Sequence, residues 1–190
     1  MGHDKPDHQR QHRQHQHDCR DGGQEAAKEL GNVELIYTGP TTTTAEAQIQ
    51  VIDALIAQKV DVIAFSPVVE SGWDTVLKEA KAAGIPVILT DRAVNEKDDS
   101  LWVTFMGSDF VEEGRKAGRW LLENYKGQGD VNIVELQGTV GSAPAIDRKK
   151  GFEEAVTKNP GLKIIDQIWS SISFSFSAIK PCLAAFARIF

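Results

Sequence analysis

The sequence predicts an α/β protein built on doubly wound parallel sheets. Two β-branched, apolar runs, Asp61-Val62-Ile63-Ala64-Phe65 and Ile85-Pro86-Val87-Ile88-Leu89-Thr90, lack the polar alternation of a half-solvated strand. They read as parallel strands covered on both faces, because crossover helices hide both sides of such a sheet. Between them lie stretches with apolar residues at helical spacing. Strand and helix therefore alternate at the pitch of βαβ units with right-handed crossovers.

A chain of 190 residues, 41% of them apolar, accommodates one large domain or one and a half small ones and has enough to bury for a core. The formal charge of −6 argues against a nucleic-acid partner, whose phosphates demand a basic face. Cys19 and Cys182 stand at opposite ends, so neither a disulfide framework nor a metal knuckle is expected.

Taken in order, residues 1–22 are rich in Gln, His, Arg and Asp, have almost nothing to bury and are expected to be a disordered tail without a secretory signal. It holds all five histidines (His3, His8, His12, His15, His17), whose irregular spacing reads as a solvated tail rather than a metal site. Gln24–Leu30 has strong helix composition and stops at Gly31-Asn32, suited to a C-terminal cap. Val33–Tyr37 is expected as a short strand. Thr44 is placed to cap a helix from Ala45 to Gln58, along which Ile49, Ile52, Leu55 and Ile56 form one apolar stripe. The strand at 61–65 follows, then a helix from about Asp74 to Ala83 ended by Gly84, then the strand at 85–90.

A charged loop over Val94–Ser100 leads to a strand at Leu101–Met106. Gly107-Ser108-Asp109 opens a helix over Phe110–Tyr125. After Gly127-Gln128-Gly129-Asp130 come a strand at Val131–Leu136, a helix from about Pro144 to Lys158 and a strand at Leu162–Ile165. From Gln167 to Phe190 charge nearly vanishes and Ser alternates with Ile and Phe. This atypical apolar segment reads as an extra strand and a short helix, broken by Lys180 and Pro181 too early for a membrane span.

The strand at 85–90 ends abruptly in Asp91-Arg92, a carboxylate beside a guanidinium. Ligands of open α/β sheets sit in the crevice beyond the carboxyl ends of the strands, which raises this pair above the ordinary surface ion pair. The turn Gly138–Ser142 lacks the Gly-Lys-Ser/Thr ending of a nucleotide loop.

Several further stretches stand in order at matching spacing: Asp61–Pro67, Val69-Glu70-Ser71-Gly72-Trp73, Ile85–Arg92, Met106-Gly107-Ser108-Asp109, Val134-Glu135-Leu136-Gln137-Gly138 and Ala145–Phe152. On these, residues 24–165 resemble the type I periplasmic sugar-binding proteins of ABC importers, and Val69–Phe152 is most similar to their galactofuranose-binding branch. The resemblance implies two similar α/β lobes that close on a sugar by a hinge: a first lobe at 23–107 lacking its first strand, and an incomplete second lobe at 108–166. It implies that Asp91 accepts sugar hydroxyls, that Arg92 donates to sugar oxygens, and that Arg148 reaches the ligand from the second lobe. Ser66 falls where ribose binders place an asparagine, and Ser108 and Asp109 fall at the hinge. Trp73 reads either as a packing residue or as an aromatic platform for a sugar ring. Arg148, between Asp147 and Lys149-Lys150, has a solvated helix face as its rival reading.

The function so implied is a monosaccharide-binding component of a sugar importer that docks on a permease, periplasmic, monomeric, with no cofactor and no membrane insertion. Poor sugar binding is expected of the chain alone, with both ends expected to be foreign to the family. A sugar-responsive repressor core shares the fold, but residues 1–22 hold no helix-turn-helix. An α/β enzyme is disfavoured, since no Gly-x-Ser-x-Gly elbow, Walker loop or dinucleotide fingerprint is present.

Overall fold

The structure, a computed structural model, describes residues 22–39, 42, 44–127 and 129–169. The tail histidines, Cys19, Cys182 and the expectations for residues 170–190 lie outside these. The described residues up to 39 and those from 42 onward fall into two units.

In the first unit, helix α1 spans residues 22–30. Gly31 ends it as expected, with φ of 71° and its N–H on the carbonyl of Ala27 at 3.2 Å. Val33–Tyr37 is not a strand: residues 33–39 carry no ladder, and Val33, Leu35, Ile36 and Tyr37 are exposed. An extended apolar segment becomes a strand only where a neighbour takes its backbone hydrogen bonds.

The second unit opens with α2 (Ala45–Ala57), whose first turn is capped by the Thr44 hydroxyl accepting the Ala47 N–H at 3.2 Å. Then follow β1 (Ile63–Phe65), α3 (Asp74–Ala82), β2 (Val87–Asp91), a single 3-10 turn at Asp99–Leu101 and β3 (Thr104–Gly107). The three strands pair in parallel in the order β1-β2-β3, with Phe65, Leu89 and Phe105 in one row. Ile52 of α2 and Val76, Leu77 and Ala80 of α3 make one core with Ile63, Val87 and Leu89.

Among the described residues the expected cover on both faces is incomplete. Along β2, Val87 and Leu89 are buried while Ile88 and Thr90 are half-buried, and all four residues of β3 are exposed. Both helices contribute to the same core, so the opposite face, carrying Ala64, Ile88, Thr90, Thr104 and Met106, is the more open one among the described residues.

The chain then runs through α4 (Phe110–Asn124), β4 (Val131–Gln137), α5 (Ala143–Val156) and β5 (Leu162–Trp169). Strands β4 and β5 pair in parallel over their whole length, with a register shift at Ile133/Val134. Past that shift the ladder continues to Trp169, four residues beyond the expected strand end. Leu121, Ile133, Phe152, Val156 and Leu162 form the second core. Helices α4 and α5 approach backbone to backbone: a Cβ on Gly114 would collide with the Arg148 carbonyl, and one on Gly151 with the Val111 carbonyl.

Candidate functional site

The site is built at the carboxyl end of β2. Asp91 has φ of 61°, a left-handed conformation that costs a non-glycine residue about 1–2 kcal/mol. The Arg92 N–H donates to the Thr90 carbonyl at 2.6 Å, which closes a three-residue γ-turn with Asp91 at its centre. Strained backbone of this sort concentrates at ligand sites. The turn lifts the chain out of the sheet and leaves the Asp91 side chain 67% exposed.

Three predicted residues meet here. The Ser66 hydroxyl donates to Asp91 Oδ2 at 3.4 Å, and Arg92 Nε lies 3.4 Å from the same oxygen. Arg92 is the more enclosed of the pair. Its Nη1 donates to the Val68 carbonyl at 3.2 Å, while its buried Nε makes no hydrogen bond of acceptable geometry. A carboxylate that accepts and a guanidinium with donors to spare, side by side, match a neutral ligand rich in hydroxyl groups.

Trp73 is corrected from candidate platform to core. It is 0% exposed, its indole N–H donates to the Val69 carbonyl at 2.9 Å, and its ring packs 5.1 Å from that of Phe65. No ring face is left for a sugar.

Arg148 is held by α4 rather than by Asp91 or Arg92. Its Nε donates to Glu113 Oε2 at 2.8 Å, and its guanidinium carbon stands 4.6 Å above the Phe110 ring. Beside it, burial pushes the Asp147 carboxyl above the usual range; Lys150 opposes this and the Asp109 charge adds to it. Ser108 and Asp109 occupy the crossing from β3 to α4, where the Asp109 carboxylate accepts the Glu112 N–H at 2.9 Å and caps the helix.

Sequence reasoning missed Gln48. From α2 its amide nitrogen donates to the Ser66 carbonyl at 2.8 Å, and its amide oxygen accepts the Val68 N–H at 2.9 Å. This two-point grip fixes the loop that carries Ser66 and the acceptor for Arg92. One polar residue among several beside an apolar stripe, it carried no signal of its own. Glu113 was missed because a carboxylate in an acidic first turn looks like an ordinary helix-dipole residue.

Residues 9–175 match the family model of the periplasmic binding protein domain. The chain belongs to this family. The match reaches past both ends of the 24–165 stretch on which the resemblance was read. The galactofuranose-binding protein of Escherichia coli (strain K12) is 51% identical over 143 residues, which make up 75% of this chain and 44% of that one. A Mycobacterium smegmatis protein solved in complex with β-D-fucofuranose is 53% identical with a TM-score of 0.70, over 76% of this chain and 48% of that one. The binding protein of an arabinose ABC transporter from Shewanella sp. ANA-3, solved with α- and β-L-arabinofuranose, is 44% identical with a TM-score of 0.69, over 76% and 47%. The chain thus spans less than half the length of these relatives.

Proposed function

We propose that this chain carries part of the sugar-binding cleft of a periplasmic solute-binding protein that serves an ABC importer, with a furanose-form monosaccharide as its ligand. Capture proceeds without chemistry. The first lobe is residues 23–107, the second begins at 108, and Ser108-Asp109 is the hinge between them. Asp91 accepts sugar hydroxyls, Ser66 holds that carboxylate in place, Arg92 donates to ring or hydroxyl oxygens, and Arg148 reaches the sugar from the second lobe. The permease is the protein partner.

The observation that carries this reading is the strained turn at Asp91, which presents a carboxylate and a partly unsatisfied guanidinium at a strand end. It is supported by 51% identity to a galactofuranose-binding protein. The span is less than half that of such relatives, so only part of their contacts is on offer, and affinity weaker than micromolar is expected. Thermal unfolding with galactose, ribose and arabinose, up to tens of millimolar, tests it through ligand linkage. A rise in midpoint that vanishes in Asp91→Ala supports the site. Identical midpoints with every sugar at every concentration remove it. Micromolar affinity by calorimetry, about −8 kcal/mol, would overturn the expectation of weak binding.

A further inference from the structure

Two loops meet at Val69-Glu70, on the same loop whose Ser66 and Val68 contact Asp91 and Arg92. One follows β1 and runs over Ser66–Glu70; the other follows β4 and runs over Gly138–Ser142. Both leave the carboxyl ends of strands. The Glu70 N–H donates to the Gly141 carbonyl at 2.9 Å, and a Cβ at Gly141 would lie 3.8 Å from the Val69 Cβ. The helices and strands that pack extensively do so within the β1-β2-β3 group or within the β4-β5 group. Within residues 44–169 the chain passes between those groups through Ser108-Asp109.

The first loop is firmly anchored. Gln48 grips Ser66 and Val68, Arg92 bonds the Val68 carbonyl, Trp73 bonds the Val69 carbonyl, and the Asn95 N–H bonds the Glu70 carbonyl. The second is closed on itself, since both the N–H and the hydroxyl of Ser142 donate to the Thr139 carbonyl. Two stiff loops in contact restrict motion far more than two flexible ones do, because little further freedom is lost when they touch.

We propose that the Val69-Glu70 tip and the Gly141 turn form a latch that holds the two sheet groups together without ligand, and that Arg92, through the Val68 carbonyl, ties the sugar corner to it. The coupling to sugar rests on the function proposed above; the latch does not.

Amide exchange in the unmodified chain, read residue by residue by NMR, tests the latch. Exchange of the Glu70 amide at least about tenfold slower than in an unstructured chain supports it. Unprotected exchange at Glu70, with Val68 and Asn95 protected, overturns it. A second measurement uses Val69→Cys with Gly141→Cys in a Cys19→Ser, Cys182→Ser background. Gly141 has φ of 77°, so cysteine there strains the turn, but the 3.8 Å spacing fits the usual 3.5–4.5 Å between Cβ atoms of a disulfide, and air oxidation is expected to join the pair. Thiols that stay titratable in a variant with native circular dichroism overturn the contact. Arg92→Met is expected to speed Glu70 exchange at least about threefold, and an unchanged rate removes the coupling. Glu70 protection without any sugar-induced rise in midpoint leaves the latch and removes the sugar reading; a rise without protection does the reverse.

Discussion

Gly114 on α4 and Gly151 on α5 are reciprocal points of one contact: each lies against a carbonyl of the opposite helix, that of Arg148 and that of Val111. Alanine at either position gains about 1 kcal/mol of helix propensity but drives a methyl into backbone that cannot turn aside. Overpacking of this kind costs about 1–3 kcal/mol or more, and the collision is with backbone, so the loss should win. Gly114→Ala and Gly151→Ala are each expected to lower the thermal midpoint by about 3 °C or more, measured by circular dichroism. An unchanged midpoint would mean that the helices sit farther apart than described.

The same contact sets where Arg148 stands. With its carbonyl against Gly114, its side chain reaches Glu113 and the Phe110 face, and both groups are partly exposed. Partial exposure keeps such a pair modest. A double-mutant cycle with Arg148→Met and Glu113→Gln should give a coupling of about 0.5–1 kcal/mol, diminished in high salt. Coupling of zero would show that Glu113 does not hold the arginine.

In the proposed sugar site, Asp91 makes stability and ligand binding pull in opposite directions. Its left-handed backbone suits glycine, so Asp91→Gly should be more stable than Asp91→Ala by about 1 kcal/mol, read from urea unfolding. Neither variant retains the carboxylate, so neither should respond to sugar. Equal stability of the two variants would argue that the turn relaxes when the aspartate is lost.

The legible features were those with local causes. Thr44 at the head of α2, Gly31 and Gly84 past helix ends, and the apolar runs of β1 and β2 each declare themselves within a few residues. The strand end at Asp91-Arg92 was legible for the same reason. What failed depended on how segments pack against one another in three dimensions. Val33–Tyr37 has strand composition and no strand beside it. Trp73 has the right chemistry for a ring platform, yet Phe65 and the Val69 carbonyl enclose it. Gln48 and Glu113 gain their roles only when α2 meets the loop after β1 and α4 meets α5.

Beneath α5, Glu135 and Gln137 of β4 form a buried polar pair, 3% and 4% exposed, with the Gln137 amide nitrogen donating to Glu135 Oε2 at 3.3 Å. The Gln137 amide oxygen is buried without a partner. Burial pushes the Glu135 carboxyl above its usual range; the Gln137 bond opposes this, the Glu153 charge adds to it and Lys149 draws it back. A folded pKa above the unfolded one means that the folded state holds the proton more tightly. Stability from this group is therefore complete below the unfolded carboxyl range, near pH 4, and is lost as pH rises through the raised folded value. Glu112, held low by Arg119, has the opposite sign, and referring each measurement to Glu135→Gln cancels it. That variant also supplies an amide N–H for the orphaned Gln137 oxygen. Urea unfolding should find Glu135→Gln close to the parent at pH 4 and more stable by about 1 kcal/mol at pH 7. A difference that stays flat across that interval would show that the carboxyl is solvated and carries no burial penalty.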